Sequence, residues 1–286
     1  MSFQMTEEEQ KLLSDCVRGY AGLVFSGAQE YLFQKRIKRR MDANKLVSAR
    51  EYYHFLRFDP RRDDEMRELI NLLTVNETYF FRETPQIEMV SRELLPALKE
   101  RRSREKTVRI WSAACSNGAE PYTLAMLVLE SGLFQAGGWK VEIFGTDINS
   151  EVVQAARKGM FGVPAFRGTD EALRKKYFTP AGAGQWEIRD EVKKMVKFSQ
   201  MNLHNRAQMR LMRDMDAIFC RNVLIYFDTE GKREVSEMFH DSLAPSGYLV
   251  IGQTESLFKV TTLYTIVPMT NVLLYQKPSA PPGGGK

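Results

Sequence analysis

The chain has 286 residues, of which 43% are hydrophobic and 27% are charged, and its formal net charge is +5. This length fits one large domain or two modest ones, and the composition excludes general disorder. No apolar run reaches the roughly 18 to 20 residues of a membrane-spanning helix, and residues 1–10 lack the pattern of a signal peptide, so we expect a cytoplasmic protein without membrane insertion. The positive charge indicates an acidic partner without identifying its class.

Cysteine and histidine give little basis for a metal or nucleophilic site. The sequence has three of each, all widely separated: Cys16, Cys115, Cys220, His54, His204 and His240. An odd cysteine count without a CxxC pair argues against a disulfide framework and against a cysteine-based zinc site. We therefore expect no bound metal.

Residues 1–83 are predicted to form a helical N-terminal domain. Apolar residues recur at helical spacing in the segments 6–20, 27–42, 48–58 and 62–75. In the second segment, Phe33, Ile37 and Met41 are four residues apart and share one stripe. The same segment carries five basic residues, Lys35, Arg36, Lys38, Arg39 and Arg40. They form either an ordinary solvated face or a docking surface for an acidic partner.

A charged stretch at 84–104 is predicted to be a linker helix, and residues 105–277 then alternate between strand and helix patterns. The strand-like runs lie at 108–111, 141–147, 195–199, 216–220 and 248–252, with helical patterns at 120–131, 149–158 and 229–243. Such alternation predicts parallel strands joined by crossover helices. Two last runs, near 263–267 and 271–276, predict an antiparallel hairpin.

Residues 160–197 interrupt this alternation. Glycine and proline turns, a short helical piece and the strand-like runs QWEIRD and KMVKFS predict a small inserted β-subdomain. The final segment, 278–286, is rich in proline and glycine and is predicted to be disordered.

Four polar motifs follow the predicted elements at positions suited to a ligand. In an open α/β sheet, ligands bind at the carboxyl ends of strands where the strand order reverses. The first motif, WSAACSNGAEPYT, follows a strand and opens a helix, with Pro121 in the first turn. Its small residues allow a ligand to approach the backbone closely. A G-x-G-x-x-G sequence is missing, so the dinucleotide fingerprint is absent.

The other three motifs are FGTDIN, NETYFFRE and FCRNVLIYFD. Asp147 ends the strand of FGTDIN, and its carboxylate either accepts both ribose hydroxyls of an adenosine or caps the helix near Asn149. NETYFFRE lies where the helical part meets the sheet. Its aromatic pair fits interdomain packing, whereas its Asn, Thr and Arg form a polar cluster suited to a ligand site. In FCRNVLIYFD, Arg221 and Asn222 close a buried strand and Tyr226 follows one helical turn later.

The four motifs, in this order and spacing, resemble those of the chemotaxis receptor glutamate methyltransferases, the CheR family. The resemblance covers all but the last nine residues. It implies an α/β fold of the class I S-adenosylmethionine methyltransferases, Rossmann-like and mostly parallel, with an antiparallel C-terminal hairpin, an all-α N-terminal domain and the inserted β-subdomain. It also implies S-adenosylmethionine as cofactor, S-adenosylhomocysteine as product and the cytoplasmic helices of methyl-accepting chemoreceptors as partners.

The resemblance assigns roles to individual residues. Cofactor contacts are implied for Asn76, Thr78, Arg82, Glu120, Asp147, Asn202, Leu203, Arg221 and Asn222. Glu120 is expected near the methionyl end and Asp147 at the ribose, with Asn202 and Leu203 at the adenine. Arg82, facing the reacting centre, and Tyr226, beside the methyl group, are the candidate catalytic residues. The five basic residues of the second helix are expected to dock receptor segments rich in Glu and Gln, and in some family members the β-subdomain binds a receptor C-terminal peptide by strand addition.

The residue types fit methyl transfer to a carboxylate. A glutamate side chain has a pKa of about 4.3, so it is ionised at neutral pH and needs no general base. Catalysis then comes from orientation. Arg82 is suited to hold the incoming carboxylate through two hydrogen bonds, and the hydroxyl of Tyr226 to fix its approach.

Three other functions share some of these features. A methyltransferase of the same fold acting on RNA fits the net charge, but the chain lacks the basic, aromatic-rich stripe typical of single-stranded RNA binding, so we expect no nucleic-acid partner. A non-catalytic protein that senses S-adenosylmethionine is opposed by the presence of Arg82 and Tyr226. A nicotinamide dehydrogenase is opposed by the missing glycine fingerprint.

Overall fold

The structure, a computed structural model, describes residues 4–279. Most of the tail for which disorder is predicted, residues 280–286, lies outside this range. The N-terminal part consists of the helices α1 (Glu7–Ala21), α2 (Ala28–Ala43), α3 (Ala49–Phe58) and α4 (Arg62–Leu73). Phe33, Ile37 and Met41, the predicted stripe of α2, are at most 1% exposed. The all-α N-terminal domain is therefore confirmed.

The start of α1 illustrates how sequence sets a helix boundary. The Thr6 hydroxyl accepts the N–H of Glu9 at 3.2 Å, and the Glu9 carboxylate accepts the N–H of Thr6 at 2.9 Å. This capping box satisfies two backbone donors that a helix start leaves without partners.

A longer helix with a π-helical turn leads to the sheet. It consists of α5 (Thr84–Met89), the π turn Val90–Leu94 and α6 (Leu95–Arg101). Pro96 has no N–H to donate to the carbonyl four residues earlier, which favours the wider turn. Beyond α6, the buried Asp216 carboxylate accepts Arg102 Nε at 2.6 Å and the N–H of Arg109 at 2.8 Å. These bonds fix the end of the helix against the sheet.

The remaining elements alternate as predicted. In chain order they are β1 (Thr107–Ala113), α7 (Ala119–Ser131), β2 (Lys140–Asp147), α8 (Ser150–Lys158), β3 (Met160–Gly162), α9 (Glu171–Tyr177), β4 (Phe178–Gly182), β5 (Gln185–Ile188), α10 (Asp190–Lys193), β6 (Val196–Gln200), α11 (Arg206–Met209), β7 (Met215–Cys220), α12 (Thr229–Ser242), β8 (Leu243–Ile251), β9 (Thr265–Met269) and β10 (Val272–Gln276). A 3₁₀ turn precedes α9 at Val163–Phe166, and another follows β7 at Leu224–Tyr226.

The main sheet has seven strands in the order β6-β2-β1-β7-β8-β10-β9. The first five are parallel, and β10 pairs antiparallel with β8 and with β9. The predicted mostly parallel sheet with an antiparallel C-terminal hairpin is therefore confirmed. The chain moves outward from β1 to β2 and then returns to place β7 on the other side of β1. The carboxyl ends of β1 and β7 thus form the crevice where this type of sheet binds ligands.

The insertion is a three-stranded antiparallel sheet in the order β3-β5-β4. The run KMVKFS fits both the alternating pattern of the main sheet and the insertion, and the structure decides between them. Its strand, Val196–Gln200, pairs in parallel with β2 at the edge of the main sheet. A run of five residues carries its own strand preference but no information about which sheet it joins.

The helical domain is fixed to the sheet domain beside the crevice. Asn149 Nδ2 donates to the carbonyl of Asn71 at 3.0 Å and to the hydroxyl of Thr74 at 2.8 Å. On the opposite side, the N–H of Val24 donates to the carbonyl of Tyr226 at 2.9 Å. Among residues 4–279, no helix is long and apolar enough to cross a membrane.

Candidate active site

A cleft lies between the helical domain and the carboxyl ends of β1, β2 and β7. It is lined by all ten residues for which a cofactor-binding or catalytic role is predicted: Asn76, Thr78, Arg82, Glu120, Asp147, Asn202, Leu203, Arg221, Asn222 and Tyr226. They come from separated parts of the chain, and the sheet topology brings them together.

The loop after β1 forms the floor of the cleft in a tight conformation. Ala114 and Ser116 have φ values of 57° and 52°, and Gly118 has a φ of 89°. A Cβ atom on Gly118 would lie 2.9 Å from both the Ala156 Cβ and the ring of Phe198, so only glycine fits there. The loop turns the N–H of Ser116 toward the end of β2.

Asp147 receives that N–H. Its Oδ2 accepts from Ser116 at 2.8 Å and its Oδ1 accepts the N–H of Asn149 at 2.9 Å. Helix α8 is capped by the Asn149 side chain, which accepts from Glu151 and Val152, so the cap considered for Asp147 belongs to Asn149. Burial raises the pKa of Asp147 above its usual value, against the opposing effect of these backbone donors. Each carboxylate oxygen keeps a lone pair for a further donor such as a ribose hydroxyl.

Arg221 is the centre of an ion-pair network at the end of β7. Its guanidinium donates to Glu120 Oε2 at 3.0 Å, to Glu83 Oε2 at 3.0 Å and to the carbonyl of Arg82 at 2.7 Å. The side chain is 5% exposed. Ser112 donates to the other oxygen of Glu120 at 2.6 Å. Two carboxylates therefore face one guanidinium, which leaves an excess of negative charge at this end of the cleft.

The NETYFFRE segment packs against the insertion and also lines the cleft. The ring of Phe80 packs edge-on against Phe161 and Phe178 of the insertion, at 4.7 and 4.9 Å between centroids. The N–H of Phe81 donates to the Thr123 hydroxyl at 3.2 Å. The aromatic pair is thus interdomain packing, and it fixes the polar residues of the same segment, Arg82 among them, along the cleft wall.

Tyr226 lines the cleft, as do Arg82 and Arg36. Burial raises the pKa of its phenol, while the positive charges of Arg82 and Arg36 act in the opposite direction. The net direction is upward, so the hydroxyl keeps its proton at neutral pH and can donate a hydrogen bond.

The side chain of Asn202 is already engaged at the far end of the cleft. Its Nδ2 donates to the carbonyl of Tyr20 at 2.6 Å, and its Oδ1 accepts the N–H of His204 at 2.9 Å. Leu203 beside it is 6% exposed and packs in the core below the cleft. Asn202 therefore ties this wall to the end of α1, and Leu203 supplies an apolar surface of the kind that an adenine needs.

Two family matches together cover most of the chain. Residues 8–74 match the family described as "CheR methyltransferase, all-alpha domain", and residues 76–273 match "CheR methyltransferase, SAM binding domain". The chain belongs to the CheR methyltransferase family. The resemblance seen in the four motifs is thereby confirmed, and so is S-adenosylmethionine as cofactor.

Several chemotaxis methyltransferases are similar in sequence to this chain over nearly their full lengths. Chemotaxis protein methyltransferase 2 of Vibrio cholerae is 36% identical, over 90% of this chain and 88% of the relative. A chemotaxis protein methyltransferase of Borreliella burgdorferi is 31% identical, over 94% and 95%. Chemotaxis protein methyltransferase 1 of Pseudomonas aeruginosa is 32% identical, over 89% and 92%. This CheR family member is an S-adenosylmethionine-dependent chemotaxis methyltransferase.

The cleft fits the cofactor by chemistry as well as by family. Arg221 Nε is buried and has no hydrogen-bond partner within residues 4–279, which leaves a positive donor for a carboxylate. Asp147 offers acceptors for ribose hydroxyls at the other side of the β1 loop. Within the same described range, no group of three or more His, Cys, Asp or Glu side chains could hold a metal ion.

The five basic residues of α2 do not form one docking face. Arg40 donates to the buried Glu65 through Nε at 2.9 Å and Nη2 at 2.6 Å. Arg36 donates to the carbonyl of Leu73 at 2.8 Å and lines the cleft. Lys38 pairs with Asp42, whereas Lys35 and Arg39 are exposed. Arg40 has a partner in the core and Arg36 faces the cleft. Of the five, Lys35 and Arg39 are therefore the residues best placed to contact a partner.

Sequence reasoning missed three polar residues that build the site. Glu83 belongs to a motif that was recognised, but its pairing with Arg221 spans 138 positions. Glu255 accepts the N–H groups of Asn222 at 2.8 Å and of Val223 at 2.9 Å from outside any motif. Gln86 lies one turn into α5 with its side chain against the cleft. None of them carries a local signal, since each acts through a partner far away in the chain.

Proposed function

We propose that this CheR family member transfers the methyl group of S-adenosylmethionine to glutamate side-chain carboxylates of chemoreceptors, which yields glutamate methyl esters in chemotaxis adaptation. Methyl transfer in chemotaxis follows from the family and its relatives. The choice of a glutamate carboxylate as acceptor is the proposed part.

The observation that carries this proposal is that two arginines, Arg82 and Arg36, line the same cleft as Tyr226. Both guanidinium groups act to lower the pKa of the Tyr226 phenol, while Glu255 and Glu77 act to raise it. A guanidinium group in the cleft attracts an anionic acceptor. A planar guanidinium is also suited to holding a carboxylate through two parallel hydrogen bonds.

The carboxylates of the cleft support the same choice. Among the described residues that line it there is no histidine and no lysine. Each carboxylate that lines the cleft already accepts hydrogen bonds. Glu77 accepts from Arg167 at 2.8 Å, and Glu120 accepts from Arg221 at 3.0 Å. Asp147 accepts from backbone N–H groups. A hydroxyl or amine acceptor would need one of these groups to remove its proton. A glutamate carboxylate is ionised above a pH of about 4.3 and needs no base.

The roles of the residues follow from these positions. Bound S-adenosylmethionine supplies a methyl group already activated by the sulfonium centre. Asp147 holds the ribose, and Arg221 and Glu120 hold the methionyl end. Arg82 orients the incoming carboxylate, and the neutral phenol of Tyr226 donates a hydrogen bond to the oxygen that does not react. Fixing the two reactants in line is worth about 7 to 11 kcal/mol at best.

Two outer surfaces are suited to the receptor. Lys35 and Arg39 are exposed on α2 and can attract receptor helices rich in glutamate. Strands β3 and β4 are the edges of the inserted sheet, and all of β4 except its first residue is exposed. An edge strand of this kind can accept an extended receptor C-terminal peptide by strand addition.

Transfer of labelled methyl from S-adenosylmethionine to the cytoplasmic fragment of a chemoreceptor tests the proposal. We expect label that mild base releases, because esters of this kind are base-labile, and that is lost when the receptor glutamates are replaced by alanine. Parallel reactions with RNA in place of receptor serve as the control. Base-stable label, or label on RNA, would contradict the glutamate assignment. Tight binding of S-adenosylhomocysteine without transfer to any receptor fragment would favour a non-catalytic role.

A further inference from the structure

Gln86 is a buried amide at the inner end of the cleft. It lies on α5, its side chain lines the cleft, and it is 3% exposed. A polar side chain this deeply buried needs partners for both ends of its amide.

Within the described part of the chain, one end of that amide has a hydrogen-bond partner and the other does not. Gln86 Nε2 donates to the carbonyl of Ile251 at 2.7 Å. Because a carbonyl accepts and cannot donate, this bond fixes which end of the amide is nitrogen. Gln86 Oε1 therefore points the other way, and it has no hydrogen-bond donor within residues 4–279. An unmet buried acceptor of this kind indicates a donor that arrives with a ligand.

Within residues 4–279, Arg221 Nε is a buried donor without a partner, which complements the unmet acceptor of Gln86. Ile251 pairs in register with Cys220, the residue before Arg221, and the Arg221 guanidinium contacts Arg82 and Glu83 one turn before Gln86. Both side chains line the same cleft. Gln86 leaves an acceptor unmet and Arg221 leaves its Nε donor unmet. An unmet acceptor and an unmet cationic donor in one cleft are complementary to the ammonium and carboxylate of an α-amino acid.

We propose that Gln86 is a further cofactor-binding residue, whose Oε1 accepts a hydrogen bond from the α-ammonium group of the methionyl end. This rests on the proposed placement of that end beside Glu120 and Arg221. The ammonium is the sole donor in the methionyl half of the molecule, and the ribose hydroxyls lie at Asp147, on the other side of the β1 loop. The excess of carboxylate charge around Arg221, from Glu83 and Glu120, favours a cation at the same place.

Calorimetric titration with two ligands tests this placement. The ligands are S-adenosylhomocysteine and its analogue without the α-amino group. The unaltered protein is expected to bind the full ligand at least about tenfold more tightly, as for a hydrogen bond to a charged group. In Gln86→Met, which keeps the side-chain volume without the acceptor, that preference is expected to shrink by about tenfold. Gln86→Glu keeps an acceptor oxygen and is expected to retain the preference.

The control is Gln154→Met, the same substitution at an exposed residue of α8, and it is expected to leave the preference unchanged. Loss of the Ile251 bond alone would weaken both ligands equally. An unchanged preference in Gln86→Met, or a lost preference in Gln86→Glu, would therefore overturn the assignment to the ammonium. Failure of the unaltered protein to bind either ligand would instead count against the proposed cofactor site itself.

Discussion

The carboxylate of Glu255 holds the backbone of Asn222 in a left-handed conformation. Its Oε2 accepts the N–H of Asn222, whose φ is 59°, at 2.8 Å, and its Oε1 accepts the N–H of Val223 at 2.9 Å. Oε2 also accepts the N–H of Gly252 at 2.7 Å. One side chain from the loop after β8 thus sets the path of the chain between Arg221 and Tyr226.

We expect Glu255→Gln to disturb catalysis more than cofactor binding. Glutamine offers a single acceptor oxygen, and its NH₂ group would face backbone N–H donors. The free energy of unfolding is expected to fall by about 1–3 kcal/mol. The kcat for receptor methylation is expected to fall by tenfold to about 100-fold as Tyr226 shifts, which steady-state kinetics would measure. Glu88→Gln, on the exposed side of α5, is the control. An unaltered kcat in a destabilised Glu255→Gln protein would show that the loop holds its shape without the carboxylate.

Substitutions at Arg82 and Tyr226 are expected to lower turnover more than cofactor affinity. Arg82→Ala removes the planar donor for the acceptor carboxylate, and Tyr226→Phe removes the hydroxyl alone. Each is expected to lower kcat by about 10²-fold, since misplacement of a reactant by about 1 Å has effects of this size. Affinity for S-adenosylhomocysteine, measured by calorimetry, is expected to change far less. Arg92→Ala, an exposed arginine on the π turn, should behave as the unaltered protein. Equal losses of affinity and turnover in both variants would argue for cofactor binding instead.

The sheet and the ligand-binding ends of its strands could be predicted because their signals are local. Alternating strand and helix patterns define parallel strands, and Asp147 and Arg221 are placed by being the residues that end or follow them. The backbone conformation around those residues could not be predicted from the sequence. Ser116 and Asn222 have positive φ without being glycine, and each is held by a carboxylate distant in sequence.

The partners of the basic residues of α2 could not be predicted for a related reason. Helical spacing separates the apolar stripe from the basic arc, but it does not reveal which basic side chains meet a partner from another helix. Arg40 is paired because Glu65, 25 positions later, lies buried opposite it. Arg36 faces the cleft because the end of α4 accepts its hydrogen bond. Both facts depend on how the helices pack, and the sequence of α2 alone does not contain them.

The third prediction concerns pH and Asp147. Since burial raises the pKa of this carboxyl, it gains a proton at a higher pH than the usual value of about 3.9. The protonated group accepts ribose hydroxyls less well, so affinity for S-adenosylhomocysteine should fall as the pH is lowered through that raised pKa. Asp147→Asn is expected to bind weakly at neutral pH and to lack this pH dependence. Calorimetry at a series of pH values from 7 downward would measure both affinities. A parallel decline in the two proteins would assign the effect to another group.

The hydrogen-bond network around the buried Glu65 is expected to stabilise the packing of α2. Glu65 is 5% exposed and accepts from Arg40, from Tyr52 at 2.6 Å and from Asn44 at 2.8 Å. Burial opposes its ionisation, but these hydrogen bonds outweigh that effect and lower the pKa of Glu65. Arg40→Ala leaves a buried carboxylate without its cation, so the free energy of unfolding should fall by about 3–5 kcal/mol. Because the folded pKa lies below the unfolded value of about 4.3, the stabilisation by this network is present above that pH and is lost as the pH falls through the folded pKa.

Arg39→Ala is the matched control, since Arg39 is exposed on the same helix, and it should change stability by less than about 0.5 kcal/mol. Its effect is expected in substrate binding instead. Combined with Lys35→Ala, it should raise the KM for an acidic receptor fragment at low salt. The difference should shrink as ionic strength approaches 0.15 M, where exposed charges are screened over about 8 Å. Urea unfolding and methylation kinetics would separate the two effects. If the double variant keeps its KM at low salt while Arg40→Ala unfolds as expected, α2 stabilises the fold and the receptor docks on another surface.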